Sequence, residues 1–402
     1  VSVLVQTGAM LLLVAVAGSL ADRFGQSVIP AYLAAGVVLG PYPPTELFGF
    51  PTTFTPDEAA VTLFHELGLV LLLFFLGLHV DLADVFADAR RVLSAGGIDL
   101  VVNGGLGVLL GVAFGYDPVS TLVIAGVVYI SSSAIITKSL LDVGWIANPE
   151  SDPILGTLVV EDLVIAVYLT LLSAVVLGGG TVEGVAVSLA KGFGFLAVVA
   201  AVGWYGTDYV ERAVTTERDE LLLLRVLAVT VLVAGLAVQF DISEAVAAFF
   251  VGGALAQTDE KDRIEHIMSP ARDLFAALFF VAVGLHADVR AIGDALPLLV
   301  AAIVASVAGK LASGYLSGRV YGLTERRSAR VGAALVTRGE FSLVLASLAM
   351  SADAVANGVA EFAIAYTLVM ALLGTTLTRY EGRIAGLVGR HTDATTQSSA
   401  AS

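Results

Sequence analysis

The chain has 402 residues, of which 57% are apolar and only 14% charged, with a mean hydropathy of +0.90 and no cysteine. That balance lies far from a soluble domain, in which about a quarter of residues are charged, and it excludes disulfides, thiolate metal sites and a cysteine nucleophile. A net charge of −15, with 36 acids against 21 lysines and arginines, argues against a nucleic-acid partner, which would need a basic stripe; the acids lie mostly in loops, and the excess of acids with only four lysines is a bias suited to a salt-rich environment.

Apolar runs recur from end to end, each long enough as a helix to cross about 30 Å of hydrocarbon. They lack the every-second-residue alternation of a β-barrel, and no cleavable signal is evident. An all-α polytopic membrane protein is therefore expected, because a helix satisfies its own backbone in lipid. Thirteen transmembrane helices are predicted in chain order, at 3–21, 28–41, 61–80, 92–115, 119–141, 154–177, 183–206, 221–239, 242–257, 272–288, 295–321, 329–350 and 358–378. With this count the loop cations, from Arg23, Arg90 and Arg91 to Arg379, Arg383 and Arg390, fall on one side, and Arg290 alone falls on the other. The positive-inside rule then puts the N-terminus outside and the C-terminus in the cytoplasm of the cell membrane.

The third span ends in LLFFLGLHVDL (72–82) and the tenth in FFVAVGLHADV (279–289). The two copies lie an odd number of spans apart, so their helices cross in opposite directions, as in inverted repeats that meet at a midplane substrate site. A transmembrane domain at 1–380 is expected to consist of one six-helix repeat at about 1–178, a linker helix at about 183–206 and a second repeat at about 220–380. A polar cytoplasmic tail follows at 381–402. The same offset pairs span five, containing Ser131, Ser132 and Ser133, with span twelve, containing Arg338 and Glu340.

The sharpest chemical signal is GTLVVEDLVIAVYL at 156–169, which places Glu161 and Asp162 side by side in an apolar span. A carboxylate at a helix centre costs about 2.5 to 3.5 kcal/mol to insert, so such residues by default mark an ion or proton pathway. Burial and mutual repulsion disfavour ionising both, which lets protons compete with a cation for one carboxylate. Lys310, in mid-span and too deep to snorkel easily, is the expected partner of this pair, since an unpaired buried charge is expensive. Ser131 to Ser133 supply hydroxyls and, if the helix unwinds, carbonyl oxygens for a monovalent cation. Arg338 and Glu340 flank a glycine, and their charges either pair or stabilise half-helix ends. Asp99 and Asn103 lie one turn apart in span four, as a second polar contact or at interface depth. His79 and His286 are expected to hydrogen-bond at the membrane boundary. His65, His266 and His391 lack the spacing of metal ligands.

IPAYLAAGVVLGP, ELGLVLLLFFLGLHVDL, ISSSAIITKSLLD, VVEDLVIAVYL, FFVAVGLHADV, Lys310 and RGEFSLVLA, in this order across nearly the whole chain, resemble the Kef and NapA branch of monovalent cation/proton antiporters. The resemblance implies thirteen helices, a homodimer formed through a dimerisation domain, and a core domain in which two unwound helices cross beside the ion-binding carboxylate. By position Asp162 matches the family's ion- and proton-binding aspartate, and Lys310 the lysine that pairs with that region. Ser131 to Ser133 match the first unwound helix, and Arg338 to Glu340 the second. Glu161, in place of a second Asp or a Gln, leaves stoichiometry and ion choice open. The Glu-Asp form looks most like potassium/proton antiporters that work with a separate regulatory subunit. Regulation is accordingly expected from another polypeptide, or from a C-terminal domain removed from this chain.

The expected function is exchange of a monovalent cation, K+ slightly favoured over Na+, for protons by alternating access, with the cation bound at Asp162. No cofactor beyond the transported ions and no enzymatic activity are expected. A cation channel and a sodium-coupled symporter of an organic anion are the alternatives; an intramembrane aspartyl protease would need a GxGD-type motif that the sequence lacks.

Overall fold

The computed structural model describes residues 3–40, 46–47, 50–51, 58–79, 88–177, 187, 190–191, 194, 212, 214–239, 243–287, 291–352 and 354–399. Continuous apolar sequence folds as helix: α1 (Val3–Arg23), α2 (Val28–Leu39) and α3 (Glu58–His79) open the chain. Then α4 (Ala89–Asp99) runs through a π-helical turn, Leu100–Gly104, into α5 (Gly105–Ala113). The first half closes with α6 (Pro118–Tyr129), α7 (Ser133–Asp142) and α8 (Ser151–Leu177). The second half comprises α9 (Asp219–Val238), α10 (Glu244–Leu255), α11 (Lys261–His286), α12 (Ala291–Val320), α13 (Glu325–Leu335), α14 (Glu340–Met350) and α15 (Val359–Ser399). Between α2 and α3, β1 (Glu46–Leu47) pairs antiparallel with β2 (Phe50–Pro51).

Among the described residues ten helical stretches are long and apolar enough to cross a membrane. The shorter apolar helices α2 and α10 occupy the places of the predicted second and ninth spans. The predicted linker span lies almost wholly outside the described residues. Two boundaries differ from expectation. The predicted tenth span, α11, begins at Lys261 rather than near 272, because Ile264 and Met268, four residues apart, bury one face of the charged segment KDRIEHIMSPARD. The last helix continues past 378 to Ser399, through the segment expected to be a tail.

The inverted relation of the repeats is visible between α3 and α11. Phe64 faces Phe275 with ring centroids 6.5 Å apart, His65 stacks on Phe279 at 5.1 Å, and His79 Nε2 lies 3.0 Å from Glu265 Oε1. Rising numbers in α3 meet falling numbers in α11, so the helices are antiparallel. Each GLH histidine bonds the carbonyl one turn back, His79 Nδ1 to Phe75 at 2.7 Å and His286 Nδ1 to Ala282 at 2.8 Å, closing its helix in the same way. The motif's aspartates, Asp81 and Asp288, lie outside the described residues.

The motif's glycines serve backbone contact. A methyl on Gly77 would run into the carbonyl oxygen of Phe249 in α10, and one on Gly252 into that of Phe74 in α3. In the second copy a methyl on Gly284 would come within 2.9 Å of the Gly36 Cα in α2. Thus α3 crosses α10 and α11 crosses α2, two crossings that exchange when one repeat is laid on the other. Without a hydrophobic driving force between helices in lipid, such small-residue approaches supply the packing.

The helices sort into two bundles, each drawn from both repeats. One, here called the frame, contains α1, α2, α3, α9, α10 and α11; the other contains α4 to α8 and α12 to α15. The seam between them is sparse. It includes His65 Nε2 and Ser347 Oγ, 2.9 Å apart, and Thr375 Oγ1 donating to Gln26 Oε1 at 2.9 Å. Arg379 reaches the carbonyls of Phe24 and Gly25 at 3.2 and 3.0 Å.

Gly77→Val is expected to destabilise the protein by about 1–3 kcal/mol through overpacking, seen as a lower thermal midpoint in detergent. Gly97→Ala, whose methyl would meet nothing within 4 Å, should not lower it; an unchanged midpoint for the Gly77 variant would contradict the crossing.

Candidate functional site

Two helices of the second bundle are interrupted at mid-depth. Ile130 (φ −74°, ψ 130°) and Ser132 (φ −97°, ψ 103°) are extended, separating α6 from α7. Thr337 to Gly339 separate α13 from α14. The breaks touch: Ser132 N donates to Thr337 O at 3.0 Å, and a methyl on Gly339 would collide with the Ser132 hydroxyl. Of the three serines expected in the unwound stretch, Ser131 and Ser132 lie in it, whereas Ser133 begins α7.

Broken helices expose backbone groups that lipid cannot satisfy. Arg338, fully buried, donates to the carbonyls of Leu335 (3.0 Å) and Val336 (3.1 Å) at the end of α13 and of Val128 (2.9 Å) at the end of α6. It also reaches the Thr337 carbonyl at 3.5 Å and Ser306 Oγ at 2.7 Å, the latter also accepting from Tyr366 Oη at 2.6 Å. Glu340 works at the opposite pole, accepting from Ser132 Oγ at 2.5 Å and from Ala134 N at 3.3 Å in the first turn of α7. A cation therefore stands at two helix C-termini and an anion at an N-terminus, each opposite the sign of the local dipole. The sequence left open whether Arg338 and Glu340 pair with each other or cap helix ends. Geometrically they cap.

Successive residues of a helix point about 100° apart, so Glu161 and Asp162 meet different surroundings. Glu161 is fully buried. It accepts from Ser131 N at 2.5 Å, from Ser131 Oγ at 3.0 Å and from Lys310 Nζ at 2.7 Å. Asp162 keeps partial exposure, and both its oxygens accept from one hydroxyl, Ser133 Oγ, at 3.0 Å. One acid is enclosed by donors while its neighbour holds a single neutral one and remains reachable.

Lys310 of α12 carries more than the expected contact. Its Nζ donates to Asp99 Oδ2 at 2.6 Å as well as to Glu161, and lies 5.5 Å from the centroid of the Tyr129 ring. Asp99 Oδ1 in turn accepts from Ser313 Oγ at 2.7 Å and Asn103 Nδ2 at 2.9 Å, and Asn103 also reaches Ser313 at 3.0 Å. Asn103 sits in the π-helical turn, a distortion that is often found at functional sites. Asn103, one turn after Asp99, bonds its carboxylate from within this turn.

The structure thus brings together Glu161, Asp162, Ser131, Ser132, Ser133, Lys310 and Glu340, with Arg338 holding the crossing from the other side. Sequence reasoning undervalued Asp99, which is fully buried rather than at interface depth, and overlooked Ser306, Ser313 and Tyr366. The available signals were the one-turn spacings Asp99 to Asn103 and Lys310 to Ser313.

Residues 9–380 match the family described as sodium/hydrogen exchanger, transmembrane. The chain belongs to this family. The exchanger is 32% identical to the K(+)/H(+) antiporter subunit KhtU of Bacillus subtilis, over 96% of this chain and 95% of that protein. It is 33% identical to the ammonium/H(+) antiporter subunit AmhT of Alkalihalophilus pseudofirmus, over 80% and 81%. With the Na(+)/H(+)-K(+) antiporter GerN of Bacillus cereus it shares 28% over 88% and 89%. The exchanger's fold matches the sodium proton antiporter MjNhaP1 of Methanocaldococcus jannaschii with a TM-score of 0.69 over 94% of this chain and 98% of that one, at 14% identity. It is a multi-pass membrane protein of the cation/proton antiporter kind, as the repeated motifs suggested.

Lys310→Met leaves two buried carboxylates without a cation and is expected to cost about 3–5 kcal/mol. Thermal unfolding in detergent should register this as a large drop in midpoint, and an unchanged midpoint would show that the ion pairs do not hold the bundle together.

Proposed function

We propose that this protein exchanges a monovalent cation, K+ slightly favoured over Na+, for protons by alternating access, with Asp162 as the group that binds each in turn. The observation that carries this reading is the contrast within the acid pair. Glu161 is surrounded by donors, whereas Asp162 keeps partial exposure and one hydroxyl partner.

A proton on Asp162 and a cation between its oxygens exclude each other, because both use the same lone pairs. In the proposed cycle Asp162 releases its proton on one side. It then takes up a partly dehydrated cation, helped by the Ser133 hydroxyl and by oxygens of the Ser131–Ser132 break, and the bundle carrying the broken helices moves relative to the frame. Protonation on the far side expels the cation. Arg338 and Glu340 keep the helix ends satisfied while the bundle moves, and Lys310 balances charge beside Glu161. A channel would need a continuous open path, and an organic-anion symporter a cation free to meet the anion; Lys310 is paired with two buried carboxylates, and both terminal nitrogens of the Arg338 guanidinium are held by carbonyls and Ser306.

The names of the relatives support the cation assignment, since K(+) appears in the names of KhtU and GerN. The word subunit in the names of KhtU and AmhT supports a second polypeptide as partner, and in this proposal that partner is cytoplasmic and regulatory. Homodimerisation through the frame, residence in the cell membrane, an outside N-terminus and a cytoplasmic C-terminus complete the proposal, as does the division into repeats at 1–178 and 220–380 around a linker helix.

Asp162→Asn removes the exchangeable carboxylate with little change in shape. It is expected to abolish K+- and Na+-dependent proton flux in proteoliposomes while its thermal midpoint in detergent stays close to that of the unaltered protein. Normal exchange by this variant would sink the assignment.

A further inference from the structure

The mechanism so far leaves Asp99 without a role. It is fully buried, 2.6 Å from Lys310 Nζ, and its other oxygen is held by Ser313 and Asn103 at 2.7 and 2.9 Å. Asn103 and Ser313 also bond each other, so α4 and α12 are tied together around the Asp99 carboxylate. A methyl on Gly309 would come within 2.6 Å of Asn103 Oδ1, which shows how closely α12 approaches the π-helical turn there. Glu161 is placed differently. Three of its contacts come from Ser131 and Lys310, and Ser131 belongs to the break that the transported ion would meet. Lys310 therefore bridges an acid held on both oxygens and one that borders the proposed binding region.

We propose that Asp99 is a positioning residue that retains Lys310 as a fixed ion pair, leaving Glu161 able to turn an oxygen from Lys310 toward the bound cation beside Asp162. Without Asp99 this movement would strand a buried ammonium, which is strongly unfavourable. With it the ammonium keeps a carboxylate on one side and the Tyr129 ring on the other. Competition between Lys310 and the cation for Glu161 is weakened, and the cation gains a second anionic neighbour. The inference rests on Asp162 as the cation site and adds what sets the strength of binding there.

The test is K+-dependent proton flux in proteoliposomes over a range of K+ concentrations, repeated with Na+. Asp99→Asn leaves Glu161 as the sole anion of Lys310 and is expected to raise the KM for the cation about tenfold, with the larger part of the loss in KM rather than kcat. Asp99→Glu restores the charge and should recover part of that affinity. Ser313→Ala keeps the charge but frees Asp99, and it should raise KM about threefold, giving a readout even if Asp99→Asn does not fold. An unchanged KM in Asp99→Asn or in Ser313→Ala, a loss confined to kcat, or an Asp99→Glu variant no better than Asn overturns the proposal. Asp162→Asn assayed in the same vesicles separates the two readings: if it still exchanges, the cation site itself is wrongly placed.

Discussion

A helix that stops halfway across a membrane leaves carbonyl and amide groups in a medium that offers them no water, and this site is organised around that problem. The interruptions at Ile130–Ser132 and Thr337–Gly339 satisfy one backbone bond between themselves, and Arg338 and Glu340 take much of the rest. Because Arg338 alone serves the ends of two helices from different repeats, the crossing behaves as a unit. The unwound backbone in turn aims Ser131 N at Glu161 and starts α7 so that Ser133 reaches Asp162. The placement of both carboxylates is thus a by-product of how helix ends are satisfied in lipid.

Charge is distributed with the same economy. Glu161 and Asp162 are chemically alike and adjacent, yet the turn of the helix gives one a lysine and a backbone amide and the other a single serine hydroxyl. The environment, more than the residue type, separates a carboxylate held by several donors from one that keeps a single neutral partner. Lys310, the link between α4, α8 and α12, makes this separation depend on residues more than a hundred positions apart.

Much of this was legible in the sequence because membrane burial makes polar residues conspicuous. Glu161, Asp162, Lys310 and the Arg338–Glu340 pair stand out against apolar runs, and the GLH repeat gave the antiparallel relation of α3 and α11. What could not be read was partnership. Arg338 and Glu340 are two residues apart but serve opposite ends of different helices, and Lys310 has a second acid 211 positions away. Neither follows from spacing along one segment. The extension of α11 back to Lys261 was missed because its charges suggested a loop, and only the burial of Ile264 and Met268 reveals the amphipathic face. The π-helical turn beside Asn103 has no sequence signature in LVVNG beyond its one glycine.

The glycine crossings of the frame have a mechanical implication. Where Gly77 and Gly252 bring α3 against α10, and Gly36 and Gly284 bring α2 against α11, main chain meets main chain with no flexible side chain to take up a displacement. The other bundle is stiffened by buried ion pairs whose rupture costs about 3–5 kcal/mol. Along the seam the described bonds are few: neutral ones such as Thr375 to Gln26, each contributing about 0.5–1.5 kcal/mol, and the exposed Arg379 bonds to the Phe24 and Gly25 carbonyls. Thermal agitation therefore finds its softest coordinate at that boundary, and two stiff bodies with a weakly bonded slip plane are what a rocking carrier requires.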